Sequence, residues 1–320
     1  MCAPELVVSE KFKHVPVMAD EIVAIFRDAP AGWIVDGTLG GAGHAQLILE
    51  SCPHLSVLGI DQDATAVEVA TQRLAKFGDR AKVVNGRFDS IAEILAANSI
   101  SNVSGVLLDL GVSSHQFDTP ERGFSYRSDA PLDMRMDRTN PKSALTVVNE
   151  YEVKELERVI REFSDERFAG RIARAIVSSR PVATTGQLAE IVASAIPAPA
   201  RRRGGNPAKR TFQAIRIEVN AELDVLSAAL KSAGTALAPG GRLVVLSYHS
   251  GEDRIVKAYM RSEESGNCTC PAGLPCGCGS KPTMKRVRVS PKPSGDEIES
   301  NPRAASARLR VSEKLAEGSR

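Results

Sequence analysis

No apolar run in this chain approaches the roughly 18 residues that a membrane-spanning helix requires. The first fourteen residues carry Lys11 and Lys13 but no apolar stretch behind them, so no secretory signal is expected. Compositional bias is also missing. At 42% hydrophobic and 25% charged over 320 residues, the chain is neither disordered, collagen-like nor coiled-coil in type. Its length suggests roughly two domains, or one large one, with core enough to fold without staples. A cytoplasmic protein with no membrane association is the expectation.

Acids are absent from two long stretches. Ile191 to Ile217 holds none, while carrying Arg201, Arg202, Arg203, Lys209, Arg210 and Arg216. Ser265 to Gly295 holds none either, and carries Lys281, Lys285, Arg286, Arg288 and Lys292. The net charge of only +2 conceals this asymmetry. Basic residues interleaved with Gly and Pro suit a loop offered to phosphates; a merely solvated loop is the alternative.

A disulfide framework is also excluded on compartment grounds. Cys2 and Cys52 stand alone, and Cys268, Cys270, Cys276 and Cys278 form a C-x-C-x5-C-x-C group. Four clustered thiols suit zinc, yet C-x-C is tighter than the usual C-x2-C knuckle. The expectation is therefore no metal, with these four cysteines as the weak candidates.

Short apolar segments alternate with helical patterns along the first third. Trp33 to Val35, Leu55 to Ile60, Ala81 to Val84 and Val103 to Leu108 read as strands. Between them, Ala45 to Cys52, Ala64 to Phe77 and Ile91 to Ala97 read as helices. This alternation predicts an α/β fold with a parallel sheet covered on both faces. Residues 113–140 break the pattern with a polar segment of 28 residues, long enough to be functional. Helices follow over 153–163, 166–179, 187–196 and, after the basic loop, one from about Thr211 to Ala233. Strand patterns return at 242–247, 285–289 and 307–311. The simplest organisation is a discontinuous α/β domain, 1–112 and 219–320, interrupted by a helical insertion at 113–218.

Asp36-Gly37-Thr38-Leu39-Gly40-Gly41-Ala42-Gly43-His44 follows the first strand and opens a helix. Glycines there permit a tight turn and close approach of a ligand to the backbone. Asp61 ends the next strand, 18 residues after Gly43, where a carboxylate can accept both ribose hydroxyls of an adenosine cofactor. A packing turn with Asp61 as a helix cap is the plainer alternative. The loop lacks the G-x-G-x-x-G spacing of pyrophosphate sites, and Asp36 would repel phosphate. S-adenosylmethionine carries no phosphate, and its sulfonium and amino group suit an acidic rim. Phe88 follows the third strand, as an adenine platform or as core. Asp109 ends the fourth strand at the carboxyl edge, where open α/β sheets bind ligands. Gln116, seven residues on, is a possible polar contact.

Longer motifs carry a more specific signal. They are His14-Val15-Pro16-Val17 with Glu21, the Asp36 to His44 loop, and Leu107-Leu108-Asp109-Leu110-Gly111-Val112-Ser113-Ser114. Glu121-Arg122-Gly123-Phe124-Ser125 and Pro131-Leu132-Asp133-Met134-Arg135-Met136 follow. Arg210 to Ile217 (RTFQAIRI) and Ser247 to Arg254 (SYHSGEDR) complete the series. Together they make the chain resemble the RsmH (MraW) family of bacterial ribosomal RNA methyltransferases. The resemblance implies a class I S-adenosylmethionine-dependent methyltransferase fold (Rossmann-like) with an inserted all-helical domain for RNA recognition. It implies N4-methylation of a cytidine in the decoding region of 16S ribosomal RNA, with the small ribosomal subunit as partner and no DNA. It implies cofactor contacts at Ala42, Gly43, His44, Asp61, Phe88, Asp109 and Gln116. Ala42 stands where relatives often have glycine. The cysteine group resembles a segment that only some members carry, which weighs against a catalytic metal.

The implied chemistry is direct in-line transfer to a conjugated, weakly nucleophilic amine, so positioning dominates. A nearby acceptor must take up charge or a proton as the amine reacts. A carboxylate or carbonyl near Asp109 would suit; Tyr248 and His249, the other catalytic candidates, could border the target base, with His249 equally suited to an orienting hydrogen bond inside a packed turn. The strand end reads Asp109-Leu110-Gly111-Val112 rather than the D/N-P-P-Y type of many amino-methylating enzymes, so roles do not transfer directly. The base must leave its stack to enter the site. Arg201, Arg202, Arg203, Lys209 and Arg210, with the 281–292 cluster, are the candidate phosphate contacts. Competing readings are a same-fold methyltransferase acting on a protein or small molecule, an RNA-binding assembly factor and, last, a nucleotide-dependent oxidoreductase.

Overall fold

The computed structural model describes residues 16–202, 205–271 and 277–316. Helix α1 (Ala19–Arg27) leads into β1 (Gly32–Asp36), α2 (Gly43–Ser51), β2 (Leu55–Asp61) and α3 (Ala64–Leu74). Then come β3 (Ala81–Asn85), α4 (Ile91–Ala97) and β4 (Val103–Asp109). A run of helices follows: α5 (Ser114–Asp118), α6 (Ala144–Glu150), α7 (Val153–Ser164), α8 (Ala169–Ser178), α9 (Thr185–Ala195), α10 (Ala198–Arg201) and α11 (Lys209–Asn220). The chain closes with α12 (Glu222–Ala236), β5 (Leu237–Ser247), α13 (Ser250–Ser265), β6 (Met284–Arg286), α14 (Gly295–Ser300) and β7 (Arg308–Lys314).

The strands form one sheet in the order β3-β2-β1-β4-β5-β7-β6. β1 to β5 run parallel, and β7 returns antiparallel to both β5 and β6. Successive side chains on a strand face opposite ways. Accordingly Val57, Leu107 and Val244 join the apolar cluster with Ile22, Phe26 and Ile48 on one face. Leu58, Leu108 and Val245 join Leu95, Leu226 and Val256 on the other. The α/β sheet expected of a class I methyltransferase is therefore present, covered on both faces. Strand order reverses between β1 and β4, which makes that crevice the topological switch point.

A third apolar cluster lies apart from the sheet. It runs from Phe124 to Val219 and is built on Leu156, Ile160, Ile172, Ile176, Leu188 and Phe212. The polar segment after β4 contributes more than expected: Phe124, Leu132, Met134 and Met136 are all buried in it. Gly123 lets the segment fold back on itself. Its φ is +71°, and a Cβ there would lie 2.3 Å from the Pro131 carbonyl oxygen.

One expected element differs. The single helix over 211–233 is two, α11 and α12, broken at Ala221 with φ 51°. No Gly or Pro marks this break. Asn220, the last residue of α11, instead binds the post-β4 segment, accepting from the Met136 N–H at 2.8 Å and donating to the Met134 carbonyl at 2.8 Å. Tertiary contacts redirect the chain where local propensity would continue it. Among the described residues no helix is long and apolar enough to cross a membrane.

Candidate active site

Three aspartates end three neighbouring strands: Asp61 on β2, Asp36 on β1 and Asp109 on β4. Strand register delivers them to one edge, with Asp36 opposite Leu107 and Gly59 on the two adjoining strands. The loop after β1 is tied across this edge. Gly37 N–H donates to the Leu107 carbonyl, Leu39 N–H to the Ile60 carbonyl and Asp109 N–H to Thr38 Oγ1. Gly40 N–H donates to Asp61 Oδ2 at 2.7 Å, and Asp63 N–H to Asp61 Oδ1 at 2.9 Å. Each Asp61 oxygen thus keeps one acceptor position. Gly40 sits at φ +50° and Ala42 at φ 60°, so the turn uses the left-handed region twice within three residues. At Ala42 this conformation costs about 1 kcal/mol that glycine would avoid.

Burial pushes the Asp36 carboxyl up to about 7, with the Asp109 and Asp61 charges adding to the rise and the Thr38 N–H opposing it. Burial likewise pushes Asp61 up to about 6 against its two backbone donors. Converging carboxylates of this kind call for a cation and oppose phosphate. The donor set therefore fits S-adenosylmethionine: carboxylates for a sulfonium and an ammonium, and a ribose acceptor at Asp61.

The two raised carboxyls also set a pH dependence. Their folded pKa values lie above the unfolded ones, so their contribution to stability is full only below the ordinary value of 3.8 and is lost as pH rises through about 6 for Asp61 and about 7 for Asp36. The unliganded chain should lose less stability between pH 5 and 8 once Asp36 is replaced by Asn. Urea unfolding at the two pH values checks this, and an unchanged difference in Asp36→Asn would refute it. A cationic ligand should bind more tightly as pH rises through the same window.

Asp109 is held by Tyr248 and bordered by His44. Its Oδ1 accepts from the Tyr248 hydroxyl at 2.7 Å, and its Oδ2 lies 3.6 Å from His44 Nδ1. His44 Nε2 is 2.9 Å from the Val17 carbonyl, which can only accept, so this nitrogen carries the proton. Burial first, then the Asp109 charge, raise the Tyr248 phenol well above its ordinary value. Tyr248 is a fixed donor and not a base.

His249 caps α13. Its Nδ1 accepts from Gly251 N–H and Glu252 N–H at 3.2 and 3.4 Å. Its Nε2 stands 3.1 Å from Glu252 Oε1. The other Glu252 oxygen accepts from the His249 N–H at 3.2 Å, which completes a capping box, and from the Tyr248 N–H at 2.7 Å, which sets the Tyr248 turn. Burial alone would raise Glu252, but His249, Arg216 and the Tyr248 N–H hold it below its ordinary value. Glu222, His249 and Glu252 have ligand-grade spacing, yet Arg216 already donates to both Glu222 oxygens at 2.8 Å. That cluster has its cation.

Gln116 is buried and turned to Asp63, donating at 3.0 Å while accepting from Ser113 N–H. Phe88 is half-buried beside Gly37, where an added Cβ would lie 3.1 Å from its own. Arg201, Arg202 and Lys209 are exposed at the ends of α10 and α11. Arg210 is also exposed and reaches the Asp165 carbonyl at 3.4 Å. Arg203, Cys276 and the His14-Val15 part of the first motif lie outside the described residues.

Sequence reasoning missed the Asp63–Arg122 pair. Arg122 Nη1 donates to Asp63 Oδ2 at 2.7 Å, and both side chains are buried. Arg122 Nη2 donates to the Arg135 and Met136 carbonyls. Burial would raise the Asp63 carboxyl, but Gln116 and Arg122 hold it below its ordinary value. The available signal was an arginine inside a family-specific motif with no exposed duty.

Comparison with known proteins shows the family. The family model described as the MraW methylase family matches residues 11–315. A protein of Symbiobacterium thermophilum named ribosomal RNA small subunit methyltransferase H is 50% identical, covering 96% of this chain and 98% of its own length. Proteins with the same name from Thermobifida fusca and Geobacter sulfurreducens are 51% and 50% identical, over 94% and 99% of their lengths and 95% of this chain. The chain belongs to the MraW methylase family.

Proposed function

We propose that this chain uses S-adenosylmethionine to methylate the exocyclic N4 of a cytidine in the decoding region of 16S ribosomal RNA, in the cytoplasm. The observation that carries the reading is the group of Asp36, Asp61 and Asp109 at the switch point, with Tyr248 locked on Asp109. The names of the relatives point to small-subunit ribosomal RNA as the acceptor. When bound, the cofactor supplies a methyl group already activated by positive sulfur.

The chain's own task is placement. Ala42, Gly43 and the backbone at His44 line the turn, Asp61 takes the ribose, and Phe88 borders the adenine. Asp109 accepts a hydrogen bond from the amine, steering its lone pair and taking up positive charge as it develops. Tyr248 keeps Asp109 in place. His249 acts one step back, through Glu252 and the turn that carries Tyr248. Gln116 and Arg122 hold the post-β4 segment over Asp63. Residues 113–218 serve as the RNA-recognition insertion.

Arg201, Arg202, Arg203, Lys209 and Arg210 meet phosphates in this reading. Replacing Arg201, Arg202 and Lys209 by Glu should weaken RNA binding at low salt and leave cofactor affinity unchanged. The slope of log affinity against log salt should become shallower by about 0.7 per lost contact. Filter binding across a salt series reads this, and an unchanged slope removes these residues from the interface.

The deciding experiment transfers radiolabelled methyl groups to small subunits from cells lacking this gene, followed by digestion to nucleosides. Label in N4-methylcytidine is the expected result. Absence of label with cofactor binding intact would move the reading to another methyl acceptor.

A further inference from the structure

The segment between α13 and β6 is closed tightly at its base. Gly266 caps α13 at φ +65°, and a Cβ there would lie 2.3 Å from the Lys281 carbonyl oxygen. Thr283 N–H donates to the Glu263 carbonyl at 3.0 Å, joining the two ends of the segment. Beyond that closure, none of the described residues between Asn267 and Pro282 is buried. Ordering a segment costs roughly 1–2 kcal/mol per residue in backbone entropy, and apolar burial does not offset it here.

Three thiols nevertheless converge at its centre. The sulfurs of Cys268, Cys270 and Cys278 all lie within 4.8 Å of one another. Cys268 Sγ and Cys278 Sγ are 3.6 Å apart. A disulfide would bring them to about 2.05 Å. Ligands held by zinc at about 2.3 Å stand about 3.8 Å apart along a tetrahedral edge, close to the separation found. Backbone N–H groups of Gly277 and Cys278 donate to the Cys270 sulfur, so the two arms also meet through the backbone. The tight C-x-C spacing is not an obstacle, because the ligands come from two arms laid side by side.

We propose that Cys268, Cys270 and Cys278 bind a structural zinc ion that clips this segment together. Three thiolates fill three of the four tetrahedral positions and leave the fourth to one further donor. Each coordinating thiol releases its proton on binding, and no electron transfer is involved. The site lies outside the carboxylate crevice, so the ion takes no part in methyl transfer. Its effect falls on the basic stretch around β6, where Lys281, Lys285, Arg286 and Arg288 are exposed.

The test uses the full chain purified under reducing conditions without chelator. Metal analysis should return about one zinc per chain, released by a mercurial reagent. Cobalt(II) loaded in its place should give the thiolate charge-transfer band and the visible bands of a tetrahedral thiolate site. The double variant Cys268→Ser/Cys278→Ser should lose the metal and keep cofactor affinity within about twofold, since no crevice residue is touched. Cys52→Ser, at a buried site elsewhere, should keep the metal. Should the double variant fail to fold, mercurial release from the unmodified chain, followed by cofactor titration, gives the same separation. Absence of zinc together with no cobalt–thiolate spectrum overturns the proposal. So does a Cys268–Cys278 disulfide in the freshly reduced protein, or zinc retained by the double variant.

Discussion

Replacing Arg122 by alanine should destabilise the protein by about 3–5 kcal/mol, the range expected when one partner of a buried ion pair is removed. Arg122 is only 3% exposed and donates to the Asp63 carboxylate and to two carbonyls of the post-β4 segment. Without it, Asp63 is left as a buried charge with only Gln116 as a side-chain donor. Two residues away, Asp61 is already pushed up to about 6, and Arg122 is one of the groups that lowers it. Loss of the cation should therefore raise Asp61 further and weaken ribose binding. Asp63→Asn/Arg122→Met keeps the volumes similar and removes both charges, so it should recover most of the loss. Denaturant unfolding measures the first effect, and proteolysis of the 119–140 segment locates it. A loss below about 1 kcal/mol would place the pair among weak surface contacts.

This pair also marks where sequence reading stops. Strand ends at Asp36, Asp61 and Asp109 were legible because apolar runs of fixed length end abruptly in an acid. The Gly-rich turn was legible because left-handed backbone demands small residues. By contrast, Arg122 and Asp63 are 59 residues apart. Only the folding of the post-β4 segment over β2 brings them together, and no local periodicity encodes that. Gln116 is a related case. Its place near the site was anticipated, but not that one N–H of its amide would go to Asp63 and one lone pair to Ser113 N–H, leaving one of each for a ligand. His249 shows the same limit in reverse: a histidine beside a tyrosine suggests chemistry, while Glu252 three residues on identifies a capping box. The break at Ala221 had no residue-level signal at all, since Asn220 is recruited by Met134 and Met136 from a distant segment.

Asp109→Ala should slow methyl transfer by about 10²–10⁴-fold, the range for losing a positioned acceptor at the reacting group. Asp109→Asn should fall almost as far, because an amide keeps the shape but not the charge. Tyr248→Phe separates positioning from proton transfer. The hydroxyl makes a hydrogen bond of 2.7 Å to Asp109 Oδ1, and a bond to a charged group contributes about 1.5–3 kcal/mol. Its loss should cost about 10- to 100-fold in rate, since each 1.4 kcal/mol is tenfold. The phenol is held protonated by burial and by Asp109, so it has no role as a base. The pH profile of Tyr248→Phe should therefore keep its shape and drop in height. Single-turnover transfer over pH 6 to 9, roughly the range that spans the raised aspartates and stays below the phenol, makes the comparison. A Tyr248→Phe profile that loses its alkaline rise would make the tyrosine the proton acceptor and reduce Asp109 to a binding group. Retention of the profile leaves Asp109 as the acceptor, at the strand end where the chemistry of the amine requires one.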